Sequence, residues 1–197
     1  MKFRRMKRQR ELPTTPQLEQ ALAQEERRKR FRNILRSTVF VLATVAAVSI
    51  LIATLLFPVM RIYGSSMKPT LEDGQVVVAI KMKDFSSGDL VAFYYNNKLL
   101  IKRVIGNPGD WINITEDGTV FVNGLPLDEP YVSEPDFGTC DLELPYQVPA
   151  GQYFVMGDHR STSIDSRSSV VGCVTDEQIV GKILVRVWPL AEFGLIP

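Results

Sequence analysis

Two adjacent hydroxyls, Ser65 and Ser66, sit in "GSSMKPTL" (Gly64 to Leu71), between a glycine and a proline. A serine oxygen is a poor nucleophile until a neighbouring base takes its proton, and a third group usually orients that base. Gly64 lets the backbone approach a ligand closely, and Pro69 stiffens the turn that follows. Two side chains qualify as the base. His159 stands beside Asp158, which suggests a Ser-His-Asp arrangement. Lys102 lies in "LLIKRVIG", with apolar residues on both sides. A free lysine has a pKa of about 10.4 and is charged at neutral pH, but burial disfavours the ammonium and lowers it by several units. The residue types alone leave both bases open. They also leave open the plainer reading of turn serines beside a solubility lysine at a strand edge.

Other chemistries find less support. With one histidine and no cysteine pair at ligand spacing, a zinc site is not expected, and no glycine-rich phosphate loop occurs. No metal or organic cofactor is expected. Cys140 and Cys173 are the only two cysteines; a disulfide between them is chemically permitted outside the cytoplasm, although two thiols make no framework. Asn113-Ile114-Thr115 matches a glycosylation sequon, a triplet common by chance.

The elements that must position these hydroxyls and either base read as strands. "VVVAI" (76–80), "LVAFYY" (90–95), "LLIKRVIG" (99–106), "WINIT" (111–115), "TVFVNG" (119–124), "YFVMG" (153–157) and "KILVRVWPL" (182–190) are short and rich in β-branched and aromatic residues. Gly, Pro, Asp or Asn separate them, a pattern that predicts a compact, mainly β domain. Asp117-Gly118 marks a hairpin turn. Residues 125–151, rich in proline, read as a long surface excursion or irregular strands.

Upstream, "STVFVLATVAAVSILIATLLF" runs uncharged from Ser37 to Phe57, 21 residues. As a helix rising about 1.5 Å per residue it covers roughly one hydrocarbon thickness, so it can span a bilayer. No small-x-small cleavage site follows it, which favours a retained anchor over a removed signal. The near-neutral total of +1 hides two halves: residues 1–36 carry +8 and residues 61–197 carry −7. Six basic residues crowd "RRKRFRNILR" (27–36), which places the N-terminus in the cytoplasm and the β domain outside. That cluster reads as a topology signal or a contact for anionic lipid rather than a nucleic-acid site. Residues 12–26 suggest a turn and a short polar helix at most. The expected organisation is a basic cytoplasmic tail (1–36), a transmembrane helix (37–60) and an extracytoplasmic β-rich domain (61–197).

Four blocks occur in order after the anchor: "GSSMKPTL", "GDLVAF" (88–93), "IKRVIGNPGD" (101–110) and "MGDHRSTSIDSR" (156–167). In this series the chain resembles the bacterial type I signal peptidases, membrane-anchored serine proteases that use a Ser-Lys dyad. The resemblance implies Ser66 as nucleophile and Lys102 as general base. It implies that Ser163 orients the lysine, that Asp165 and Arg167 form a bracing charge pair, and that Asp158 belongs to the same support. Ile62 and Ile101 fall where the family lines shallow substrate pockets. The oxyanion is assigned to the Ser66 N–H and to the position of Gly64, where some members carry a serine. His159 falls where the family often has asparagine. The implied partners are secretory preproteins and the lipid bilayer, without nucleic acid. A non-catalytic anchored β domain that binds an extracytoplasmic partner is the alternative, and a repressor-type self-cleaving protein would need a DNA-binding region where this chain has its span.

Overall fold

The computed structural model describes residues 15–196. A single helix, α1 (Thr15–Leu56), precedes twelve strands: β1 (Val59–Arg61), β2 (Val76–Ile80), β3 (Leu90–Tyr95), β4 (Lys98–Gly106), β5 (Trp111–Ile114), β6 (Val120–Val122), β7 (Leu125–Pro126), β8 (Tyr146–Gln147), β9 (Gln152–Met156), β10 (Val174–Thr175), β11 (Ile179–Trp188) and β12 (Gly194–Leu195). The chain divides after Ile52 into a helical unit and a β unit.

The helix departs from expectation at both ends. It begins at Thr15 and runs unbroken through the polar segment that was expected to hold only a short helix. Residues 17–36 are dominated by Gln, Glu, Ala, Leu, Lys and Arg, all strong helix formers, so nothing in them stops the helix. At the other end it stops at Leu56 and not at residue 60. Pro58 disfavours the α conformation at Phe57 and lacks an N–H, and Val59–Arg61 then pairs with β2 as a strand.

In the β unit every pairing is antiparallel. One sheet has the order β1-β2-β11-β3-β4-β9-β10, with β12 also on β11, and a smaller one the order β7-β6-β5-β8. All seven runs expected to be strands are strands, β11 beginning at Ile179, three residues before its expected start. The β3–β4 hairpin closes on Asn96 and Asn97, both at positive φ, a conformation that asparagine tolerates. At Asp117-Gly118 the expected turn forms, with Gly118 at φ +86°.

Side-chain alternation explains why two strands are buried on both faces. In β3, Leu90 and Ala92 join a core with Met60, Ile62, Met67 and Leu71, whereas Val91 and Phe93 join a second core with Phe85, Tyr153 and Val155. In β9, Tyr153 and Val155 face that second core, while Phe154 and Met156 pack with Ile112 and Val120 of the small sheet. The site described below draws on these doubly covered strands, where side chains have the least freedom to move. The excursion at 125–151 contributes only β7 and β8 and otherwise runs irregularly over the domain. Cys140 and Cys173 are both free thiols.

Candidate active site

Ser66 follows β1 on a turn that two buried side chains pin to the core. Met67 and Leu71 are both buried, and the Leu71 N–H donates to the Met67 carbonyl at 2.8 Å, so one helical turn plants both in the same core. Ser66 is half-buried and Ser65 exposed, which separates two residues that sequence treats alike. Lys102 lies in the middle of β4, opposite Val91 of β3, and is only 4% exposed. Its Nζ stands 2.7 Å from Ser66 Oγ. The fold thus brings together a hydroxyl and an amine 36 residues apart, at a distance over which a proton can pass.

Burial is the largest influence on Lys102 and lowers its pKa from the ordinary 10.5 to about 8. The Asp165 carboxylate opposes this shift, Arg167 adds to it, and Asp158 opposes it. Near neutrality an appreciable fraction of the amine is uncharged and able to accept a proton.

The expected charge pairs form beside this contact. Asp165 binds Arg167 through a two-pronged pair, Nε to Oδ1 and Nη2 to Oδ2, both 2.9 Å, with both side chains buried. Burial acts to raise the Asp165 carboxyl, but the Arg167 guanidinium outweighs it and holds the group below the usual carboxylate range. Asp165 Oδ2 also accepts from the Gly157 N–H at 3.0 Å. Asp158 is held by Arg103, Nε to Oδ1 at 3.0 Å and Nη2 to Oδ2 at 2.8 Å, and accepts from Thr70 Oγ1 at 2.5 Å. Ser163 is buried next to this group, yet its hydroxyl makes no hydrogen bond of ordinary geometry with any described residue, Lys102 included. A Cβ on Gly157 would come within 2.3 Å of that hydroxyl and 2.5 Å of the Ser66 carbonyl, so only glycine fits there.

Among the described residues no acceptor takes the Ser66 N–H, which leaves it free for an oxyanion. Gly64 is a correction to the expected donor pair. Its N–H donates to Asp73 Oδ1 at 2.8 Å, so this amide already has an acceptor, and its φ of +90° is one that glycine adopts freely. The ring of His159 pairs with Thr162, Nδ1 to Oγ1 at 3.0 Å, while its backbone N–H donates to the Ser66 carbonyl at 3.1 Å. The backbone of His159 therefore supports the site and its ring does not. His159→Ala should keep the hydrolytic activity of the site within about twofold of wild type, as expected for a partly exposed side chain outside the packed core; a complete loss with the fold intact would restore the histidine as base.

Ser66 and Lys102 open onto a cleft of about 590 Å³, lined on one side by residues 59–64 and on the other by residues 98–102. Ile62 and Ile101 both line it. Three residues missed in sequence reasoning, Arg103, Arg160 and Thr70, prove to be part of the site's frame; charged residues default to the surface, and nothing in the local pattern marks these two arginines as fully buried.

Comparison with known proteins gives a consistent result. The sequence profile of the family described as signal peptidase, peptidase S26, matches residues 34–188. Signal peptidase IB of Staphylococcus aureus (strain COL) is 40% identical over 152 residues, covering 67% of this chain and 78% of that protein. Signal peptidase I of Bacillus licheniformis is 33% identical over 187 residues, covering 85% of this chain and 96% of that protein. A crystal structure of a signal peptidase I from Enterococcus faecalis V583 is 29% identical and covers 52% of this chain and 98% of that one, with a TM-score of 0.44.

Proposed function

This chain belongs to the signal peptidase family, peptidase S26, serine endopeptidases that remove signal peptides, and from that premise we propose that Ser66 is its nucleophile and Lys102 its general base. The observation that carries the assignment is the 2.7 Å contact between Lys102 Nζ and Ser66 Oγ, with the amine buried. Ser66 Oγ attacks the scissile carbonyl carbon while its proton passes to neutral Lys102. The Ser66 N–H receives the oxyanion. The lysine ammonium then protonates the departing amine, which leaves an ester on Ser66. A water that gives its proton to the regenerated amine hydrolyses that ester and releases the acyl product. Asp165 with Arg167, Asp158 and Ser163 frame this pair.

The cleft suits an extended peptide. β1 pairs only with β2, and residues 98–102 of β4 pair with β3 on one side while β9 pairs from Arg103 onward. Two strand edges that no described strand pairs therefore border the cleft, ready to hold a substrate in strand conformation. Alternate substrate side chains then turn toward Ile62 and Ile101, in shallow sites that small residues can enter.

The apolar part of α1, residues 37–56, is our membrane anchor, with the basic residues 27–36 on the cytoplasmic side and the β unit outside. Ser66 lies nine residues beyond Phe57 and so within about 30 Å of the apolar boundary along the chain. A preprotein whose signal segment occupies the same bilayer presents its cleavage site at that depth.

The test is the pH dependence of preprotein cleavage. Because the base acts only when uncharged, kcat/KM should rise about tenfold per pH unit at low pH and level off at a midpoint near pH 8, the value for Lys102 in the free enzyme. A midpoint between 6 and 7, lost in His159→Ala, would overturn the assignment.

A further inference from the structure

The proline-rich excursion that follows β7 carries two side chains which reach the site's frame without touching Ser66 or Lys102. Glu129 is 11% exposed and grips the fully buried Arg160 with both oxygens: Arg160 Nη1 donates to Oε2 at 2.9 Å and Nη2 to Oε1. Tyr131 donates its hydroxyl to Glu129 Oε1 at 3.0 Å, and its ring lies 3.8 Å from the guanidinium carbon of Arg103. Burial, and then the charge of Glu129, hold the Tyr131 phenol protonated and so able to donate.

Each arginine acts on a different end of the Ser66 turn. Arg160 Nε donates to the Gly157 carbonyl at 3.1 Å, which fixes the strip of backbone whose His159 N–H holds the Ser66 carbonyl. Arg103 holds Asp158, which takes the Thr70 hydroxyl at the far end of the turn. Residues 157–160 thus act as a splint along residues 66–70, and both arginines that orient the splint are held by Glu129 and Tyr131. The same excursion also meets the third buried arginine. Arg167 Nη1 donates to the carbonyls of Phe137 at 2.9 Å and Asp136 at 3.2 Å, and a Cβ on Gly138 would stand 2.4 Å from that nitrogen.

We propose that Glu129 and Tyr131 are positioning residues for the Ser66 turn, acting through Arg160 and Arg103 to set where the serine oxygen stands relative to Lys102. The proposal rests on the Ser66-Lys102 reading. Neither side chain lines the cleft of residues 59–64, 66–67 and 98–102, so their loss should fall on turnover and not on substrate affinity.

The test uses the full chain in detergent with a purified preprotein. Kinetics and thermal unfolding are compared for wild type, Tyr131→Phe, Tyr131→Leu, Glu129→Gln and Ser66→Ala. A displacement of the reacting atoms by about an ångström costs on the order of 100-fold in rate, so Tyr131→Leu and Glu129→Gln should each lower kcat by about 10- to 100-fold, with KM within twofold. Tyr131→Phe keeps the ring over Arg103 and should recover most of the activity that Tyr131→Leu loses. The proposal is overturned if Tyr131→Leu and Glu129→Gln turn over at the wild-type rate. It is overturned equally if kcat falls only in proportion to the unfolded fraction, or if Tyr131→Phe is as impaired as Tyr131→Leu. Activity surviving in Ser66→Ala would instead sink the dyad itself, a separate failure.

Discussion

Ser66→Ala should lower turnover of a preprotein by on the order of 10⁵- to 10⁶-fold, while Ser65→Ala changes it by less than about threefold. The contrast is large because the two hydroxyls, one residue apart, differ in burial and in contact with a base. Ser66 Oγ lies 2.7 Å from a buried amine; Ser65 is exposed and its carbonyl closes the turn by accepting from the Lys68 N–H at 3.1 Å. Removing the nucleophile eliminates the covalent route, and what remains is the acceleration that binding and the oxyanion donor can give to direct attack by water. Preprotein should still bind to Ser66→Ala, since the cleft walls at residues 59–64 and 98–102 are unchanged. Single-turnover cleavage with mass measurement of both products checks the claim. Equal loss in the two variants would mean that the turn as a whole, and not one oxygen, carries the activity.

Much of this arrangement is legible in the sequence, and the reason is local. β3 and β4 announce themselves because "LVAFYY" and "LLIKRVIG" pack β-branched and aromatic residues between turn formers, but the run does not say which face Lys102 takes, and only the ordered motifs of the family resemblance single it out as the base. The turn carrying Ser66 is legible for the same reason: glycine before and proline after fix its shape, and Met67 and Leu71 have the spacing of one helical face. What sequence does not show is set by contacts far along the chain. Arg103 and Arg160 are charged residues whose burial depends on partners 55 and 31 positions away. Glu129 and Tyr131 sit in a stretch whose prolines announce irregular backbone and nothing more. The Gly64 amide was free to be a donor until the fold placed Asp73 against it. The helix start was missed for a different reason, because polar helix formers upstream of an apolar span give no boundary signal of their own.

Lys102→Met should abolish cleavage and at the same time make the protein more stable at neutral pH. Loss of activity follows from removing the proton acceptor: without it Ser66 attacks as a neutral hydroxyl, and the amine leaves without a proton donor, an effect on the order of 10⁴-fold or more. The gain in stability follows from the same burial that makes the lysine useful. A pKa lowered from 10.5 to about 8 means that the folded state disfavours the ammonium by about 3 kcal/mol relative to the unfolded chain. Below pH 8 the lysine is charged in both states and that penalty is present in full. Between pH 8 and pH 10.5 the unfolded chain holds a proton that the folded protein has released, so wild-type stability rises with pH until the penalty is gone. Methionine has nearly the shape of the lysine stem and no charge to desolvate, so the variant should unfold several degrees higher than wild type at pH 7, with the difference shrinking as the pH approaches 10.5. Thermal unfolding of both proteins across pH 6 to 10.5 is the measurement. If wild type proves as stable as Lys102→Met at pH 7, the amine is not kept from water in the folded protein, and its role as a neutral-pH base falls with it.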